Sequence, residues 1–202
     1  MKESVNKTFN HLKVHTQYSI CEGAVKIDQL KDFCKKNKIK SLGLSDTHNL
    51  SGALEFSESL SSIGTQPIIG TQILFKYKNI SGFMPLIAKN NDGYKNIIEL
   101  SSKSYLENRE TSNPHCNFED LINKSSGIIL LSGSSRCLLG NLFNKGLFKE
   151  IDEVVEKLAT AFKDNFYIEI QRHNDLNEKD FENYNLRISE KLKLPIIASN
   201  EV

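Results

Sequence analysis

The sequence carries no surplus of charge: 26 lysines and arginines stand against 25 aspartates and glutamates, for a net charge of +1 with histidine neutral. A chain so balanced has no global field to draw it onto nucleic acid or an anionic membrane, so any such contact must be local. The lysines at Lys35, Lys36, Lys38 and Lys40 form a local basic run, which reads as a solvated helix end followed by a turn. Long apolar runs are missing too. Stretches such as Gly127 to Leu131 are far too short to span a bilayer. Met1 to Lys7 are polar and charged with no apolar stretch behind them, which excludes a signal peptide of ordinary form. The expectation is a cytoplasmic chain with no membrane contact. Cysteine is sparse: Cys21, Cys34, Cys116 and Cys137 are irregularly spaced and include no CxxC pair, which argues against a zinc ribbon or redox motif. A chain of 202 residues can bury a core without disulfide staples. Also absent are a glycine-rich phosphate loop and a Gly-x-Ser-x-Gly elbow.

What is present is an alternation of short apolar runs with longer amphipathic stretches. Strands are expected at Phe9 to His15, Ser41 to Ser45, Pro67 to Phe75, Phe83 to Ala88, Gly127 to Leu131, Phe166 to Ile170 and Pro195 to Ala198. Most are apolar throughout, which suits strands buried on both faces. Helices are expected at Val25 to Lys36, Ser51 to Ser62, Gly93 to Tyr105, Phe118 to Ser125, Phe148 to Phe162 and Glu178 to Leu192. In the fifth, Ile151, Val154, Val155, Leu158 and Phe162 fall on one face. Glu107 to Asn117 is the most loop-like stretch. The pattern is α/β, with either a closed barrel or an open doubly wound sheet. Neither a fixed-period repeat nor a low-complexity linker divides the chain, so one domain over residues 1–202 is the simpler account.

Five histidines stand out by position. His11 and His15 lie at or near the end of the first expected strand, and Asp46 and His48 follow the second. His173 follows the sixth, Asn200 and Glu201 follow the seventh, and His115 lies in the loop-like stretch. In parallel α/β folds the carboxyl ends of the strands share one rim where ligands bind. Histidine and carboxylate gathered there hint at a metal site, against the plainer reading of surface or hydrogen-bonded histidines. Ser132-Gly-Ser-Ser135 offers backbone N–H groups to a phosphate or is simply a strand-to-helix turn.

Phe9-Asn-His-Leu-Lys-Val-His-Thr-Gln-Tyr-Ser19, with Glu22-Gly-Ala24, resembles the opening of the PHP (polymerase and histidinol phosphatase) domain of bacterial DNA polymerase III alpha subunits. Leu44-Ser-Asp-Thr-His-Asn-Leu50, Gln66-Pro-Ile-Ile-Gly70, Leu86-Ile-Ala-Lys-Asn90, Tyr167-Ile-Glu-Ile-Gln171 and Leu194-Pro-Ile-Ile-Ala-Ser-Asn200 continue the series in the family's order. The resemblance implies a distorted seven-stranded TIM-like (β/α) barrel, here stopping within a motif at Val202, as an amino-terminal fragment of a longer alpha subunit would. Active members hold about three metal ions that polarise a phosphoester and activate water.

The resemblance also implies an eroded site. Lys13, Thr47, Gln72 and Ser134 stand at ligand positions where the family has His, His, an acidic residue and Cys. His15, Glu22, Asp46, His48, His173 and Glu201 are the vestigial candidates, with His48 one place late. Lys13 is expected to pair with Glu22 or Asp46 in place of a metal. No catalytic residue and no cofactor are expected, with zinc or manganese only if the site is partly retained. The expected role is a structural and binding module toward the epsilon proofreading exonuclease and the rest of the alpha subunit, meeting DNA through the parent polymerase. The alternative is a residual metal-dependent phosphoesterase or 3′–5′ exonuclease.

Overall fold

The structure, a computed structural model, describes residues 9–108 and 113–202. In chain order the elements are α1 (Ile27–Asn37), β1 (Ser41–Thr47), α2 (Ala53–Ser61), β2 (Gln66–Tyr77), β3 (Ile80–Ala88), α3 (Asn91–Leu106) and β4 (Cys116–Asn117). There follow α4 (Phe118–Asn123), β5 (Ile128–Leu131), α5 (Leu138–Asn144), α6 (Phe148–Phe162), β6 (Phe166–Ile170), α7 (Glu178–Leu192) and β7 (Ile196–Ala198).

Local chemistry accounts for the elements. In α6 the apolar set Ile151, Val154, Val155, Leu158 and Phe162 is buried, as its spacing requires. α1 buries Ile27, Leu30 and Cys34 and stops at Lys38, which turns left-handed (φ 52°) and returns its N–H to the Cys34 carbonyl. α3 starts where the Asn90 side chain accepts the Gly93 N–H. β1 is buried over its whole middle, as a strand covered on both faces should be. Among the described residues no helix is long and apolar enough to cross a membrane.

The sheet runs β1-β2-β3-β5-β6-β7, with the two-residue β4 beside β2. β1–β2, β5–β6 and β6–β7 pair in parallel, whereas β3 runs against both β2 and β5. That reversal departs from an all-parallel sheet. Only Lys78 and Asn79 separate β2 from β3. A link that short must reverse the chain, since a parallel return needs a crossover of a dozen residues or more.

Phe9 to His15 does not form the expected strand. It makes isolated bridges, Val14 with Leu44 of β1 and Lys13 with Glu201, joined by Thr16 with Val25. Val14 N–H donates to the Gly43 carbonyl at 3.0 Å, and His15 N–H donates to the Val202 carbonyl at 2.8 Å. The segment thus lies between β1 and the residues that follow β7, and the curled sheet becomes a distorted seven-stranded TIM-like barrel. Gly43 makes room for it, because a Cβ there would fall 2.6 Å from the Leu12 Cα. Two further departures are β4, inside the stretch expected as loop, and α5, which was not anticipated. Residues 109–112 of that loop-like stretch lie outside the described residues.

The larger apolar core joins β2, β3, β5 and β6 to α3 through α7. A smaller one lies between β1, α1 and α2. The polar centre described next sits at the rim where β1, β6 and β7 end.

Candidate functional site

Lys13 is the centre of the site, and it is fully buried. The bridge to Glu201 and the bonds to β1 on either side pin its backbone, so the side chain projects into the barrel mouth. Its Nζ lies 3.5 Å from Glu169 Oε1 and 3.6 Å from Glu201 Oε1. Glu169 comes from the middle of β6 and is 1% exposed. Burial alone would lower the lysine pKa; the negative charge of Glu169, with that of Glu201, more than reverses this, and the net shift is upward. The ammonium is therefore charged, and one buried charge neutralises another.

His15 makes the second layer of the centre. Its Nε2 lies 3.1 Å from Glu201 Oε1 and its Nδ1 lies 3.3 Å from Ser19 Oγ. Burial would raise the Glu201 pKa, but the His15 hydrogen bond and the Lys13 charge pull it down to about 2. Gln72, level with Thr47 in the β1–β2 register, places Nε2 3.4 Å from His15 Nε2 and 3.3 Å from Thr47 Oγ1. Thr47 Oγ1 in turn donates to Glu22, whose carboxylate is 3.9 Å from His15 Nδ1.

Asp46 is buried and already satisfied. It accepts from Thr16 N–H at 2.7 Å, Thr16 Oγ1 at 2.8 Å and Ser19 Oγ at 2.6 Å. With Asp46 held by Thr16 and Ser19, and Glu22 by Thr47, Lys13 pairs with Glu169 and Glu201, not with Glu22 or Asp46 as the sequence suggested. Glu169 itself accepts from Gln171 Nε2 at 2.8 Å and from Ser199 Oγ. Lys13 Nζ, Glu169 Oε2 and Gln171 Oε1 lack hydrogen-bond partners among the described residues.

The centre thus gathers Lys13, His15, Glu22, Thr47, Gln72 and Glu201 from the sequence candidates, with Asp46 linked to it through Ser19. The others lie elsewhere. His48 turns away in a left-handed conformation (φ 62°), and its ring meets Phe83 and Tyr105 edge-on at 5.2 and 6.2 Å. His173 is exposed, and its backbone N–H donates to Glu178. Ser134 sits beside Cys137 and holds the Arg136 N–H, and Ser132 to Ser135 is the turn between β5 and the approach to α5. His11 contacts Asn200, and His115 contacts the Asn113 carbonyl. Among the described residues no three His, Cys, Asp or Glu side chains gather so as to hold a metal ion.

Sequence reasoning passed over Glu169, Gln171 and Ser199. One signal was available. Glu169 interrupts an apolar strand just as Lys13 interrupts the first apolar segment, and a charge buried in a strand needs an opposite one.

Comparison with known proteins places this geometry in context. The family model described as PHP domain matches residues 11–173. The chain is similar to the DNA polymerase III subunit alpha of Caulobacter vibrioides, 34% identical over 212 aligned positions that cover 100% of this chain and 18% of that protein. It is similar to the protein of the same name from Rickettsia felis, 35% identical over 199 positions, 96% of this chain and 16% of that protein. The chain therefore spans less than a fifth of the length of these relatives. Among solved structures, a putative metal-dependent phosphoesterase from Bifidobacterium adolescentis superposes with a TM-score of 0.63 at 12% identity, over 94% of this chain and 86% of the other. An amidohydrolase from Chromobacterium violaceum, with bound sulfate and no metal, gives 0.63 at 10% identity, over 96% and 87%. At such identities these two structures speak for the fold alone.

Proposed function

The chain belongs to the PHP domain family, and on that premise we propose that it is the amino-terminal PHP domain of a bacterial DNA polymerase III alpha subunit, with a degenerate metal site. It works as a structural and binding module. Its partners are the rest of the alpha subunit and the epsilon proofreading exonuclease, and it meets DNA through the parent polymerase, a DNA-directed nucleotidyltransferase of the cytoplasm. The chain-long similarity to proteins named DNA polymerase III subunit alpha supports the parentage.

The observation that carries the degenerate site is the position of Lys13. Its buried ammonium lies against Glu169 and against Glu201, one of the candidate ligands. A second cation there would meet repulsion in a setting with little solvent to screen it. Asp46 has its oxygens taken by Thr16 and Ser19. These residues do not suit zinc or manganese, and no catalytic step is assigned to them.

A second reading, a residual metal-dependent phosphoesterase or 3′–5′ exonuclease, has one observation in its favour: Glu22 and Glu201 each lie within 4 Å of His15, on its two ring nitrogens. It requires Lys13 to leave. One experiment separates the two. The purified chain is mixed with epsilon exonuclease and run by size exclusion, and separately assayed on bis(p-nitrophenyl) phosphate with added manganese. A stoichiometric complex with no hydrolysis is expected. Chelator-sensitive hydrolysis without a complex would replace the first reading by the second.

A further inference from the structure

His48 belongs to a cleft of its own. The cleft has a volume of about 440 Å³ and lies beside the ionic centre, walled by Tyr18, Ile20, Phe83 and Tyr105, with Glu22 at its edge. Ile20 is 85% exposed and Tyr105 49% exposed, so the apolar wall opens to solvent. His48 is only 9% exposed, yet its ring makes no hydrogen bond to any described residue, and Nδ1 is buried without a partner. Unpaired buried ring nitrogens are costly, and a native structure keeps one where something else completes it.

The backbone around His48 is built to hold this pose. A non-glycine residue at φ 62° is uncommon. Here its N–H is fixed on the Gln72 carbonyl at 2.8 Å and its carbonyl accepts Ser101 Oγ at 2.8 Å. Asn49 ties the neighbouring turn by donating to the Tyr18 and Thr47 carbonyls. Backbone strain held by several bonds is a mark of a working site.

We propose that this cleft binds the guanidinium group of an arginine presented by a partner protein. Among the described residues that line the cleft Glu22 is the one carboxylate and no lysine or arginine is present, so this lining repels phosphate and favours a cation. His48 Nδ1 has no hydrogen-bond partner among the described residues, and an imidazole nitrogen without a proton accepts a hydrogen bond. Tyr18 and Tyr105 line the cleft, and aromatic rings suit a flat, weakly hydrated cation better than the compact ammonium of lysine. Glu22 keeps acceptor capacity beyond its bond from Thr47. The inference stands on the cleft and does not depend on the partner being the exonuclease.

The test is NMR titration of the 202-residue chain with ring-labelled histidine, the His48 signal being identified by loss in His48→Gln. The probes are Nα-acetyl-arginine amide, the uncharged citrulline analogue, and inorganic phosphate. Capped arginine is expected to shift the His48 signal saturably, with a dissociation constant on the order of millimolar for so small a ligand. The citrulline analogue, or capped arginine on Glu22→Gln, should bind roughly tenfold more weakly, the worth of one charge-assisted hydrogen bond. Tyr105→Ala should weaken arginine as well and removes an exposed side chain, so it serves if Glu22→Gln does not fold. Equal response to arginine and citrulline, no saturable response, or tighter binding of phosphate would overturn the proposal.

Discussion

Lys13 and Glu169 form an ion pair shut away from solvent, with Nζ 3.5 Å from Oε1 and both side chains at most 1% exposed. The pair joins the segment before α1 to the middle of β6, more than 150 residues later in the chain. It therefore ties the barrel closure to the sheet.

Removing one partner should be severe. Lys13→Met leaves the Glu169 carboxylate buried beside Glu201 with no counter-charge, which typically costs about 3–5 kcal/mol. Lys13→Met with Glu169→Gln removes both charges and should recover a large part of that loss. Urea denaturation of the two single variants and the double variant measures the coupling. Additive losses would show that the pair is not a unit.

Asp46 offers a second test. Asp46→Ala strands the Thr16 N–H, the Thr16 hydroxyl and the Ser19 hydroxyl in a buried setting. The expected loss is about 3 kcal/mol or more. Asp46→Asn keeps acceptor oxygen and should lose less. Equal melting temperatures for the alanine variant and the parent chain would contradict this account of the turn.

The acid limb of stability should carry the mark of Glu201. Its folded pKa of about 2 lies below the ordinary 4.5, so the unfolded chain takes up the proton first as pH falls. The contribution is complete above about 4.5 and is lost as pH falls toward about 2. Glu201→Gln should flatten the urea-midpoint profile across that window. Lys13 acts with the opposite sign. Its raised pKa gives a contribution present below the ordinary 10.5 and lost as pH rises through the higher folded value. Superimposable acid profiles for the parent chain and Glu201→Gln would contradict the assignment.

The β3 reversal predicts the importance of a close approach. A Cβ on Gly82 would lie 2.3 Å from the Leu138 Cα, so α5 rests directly on β3. Gly82→Ala should destabilise the chain by several kcal/mol, on the order of an overpacked core substitution. A variant with unchanged urea midpoint would show that α5 moves aside freely.

Legibility followed the physics of each segment. β6 and α6 were readable to their end residues because β6 is a short apolar run and α6 repeats its apolar residues at helical spacing. α5 escaped because Leu138 to Asn144 is seven residues long with Gly140 inside, too short for a period to show. The first segment looked like a strand because Phe9, Leu12 and Val14 make a short apolar stretch, but its pairing partners are scattered between Leu44 and Glu201. In the site, the rim argument brought His15 and Glu201 together, and the resemblance added Glu22. It missed Glu169, because an acid within an apolar strand was counted as strand and not as the counter-charge to Lys13. His48 was taken for a displaced ligand, and only its left-handed backbone shows that it faces a different cleft.

The proposed role of Lys13 is to supply the cation of the buried centre in place of a metal ion. Its most direct test is the metal content of the purified chain after dialysis against zinc or manganese, with calorimetric titration of the same ions. The expected result is no stoichiometric metal and no change in melting temperature on adding the ions or a chelator. One or more equivalents retained by the parent chain, and lost in His15→Ala or Glu201→Gln, would contradict it.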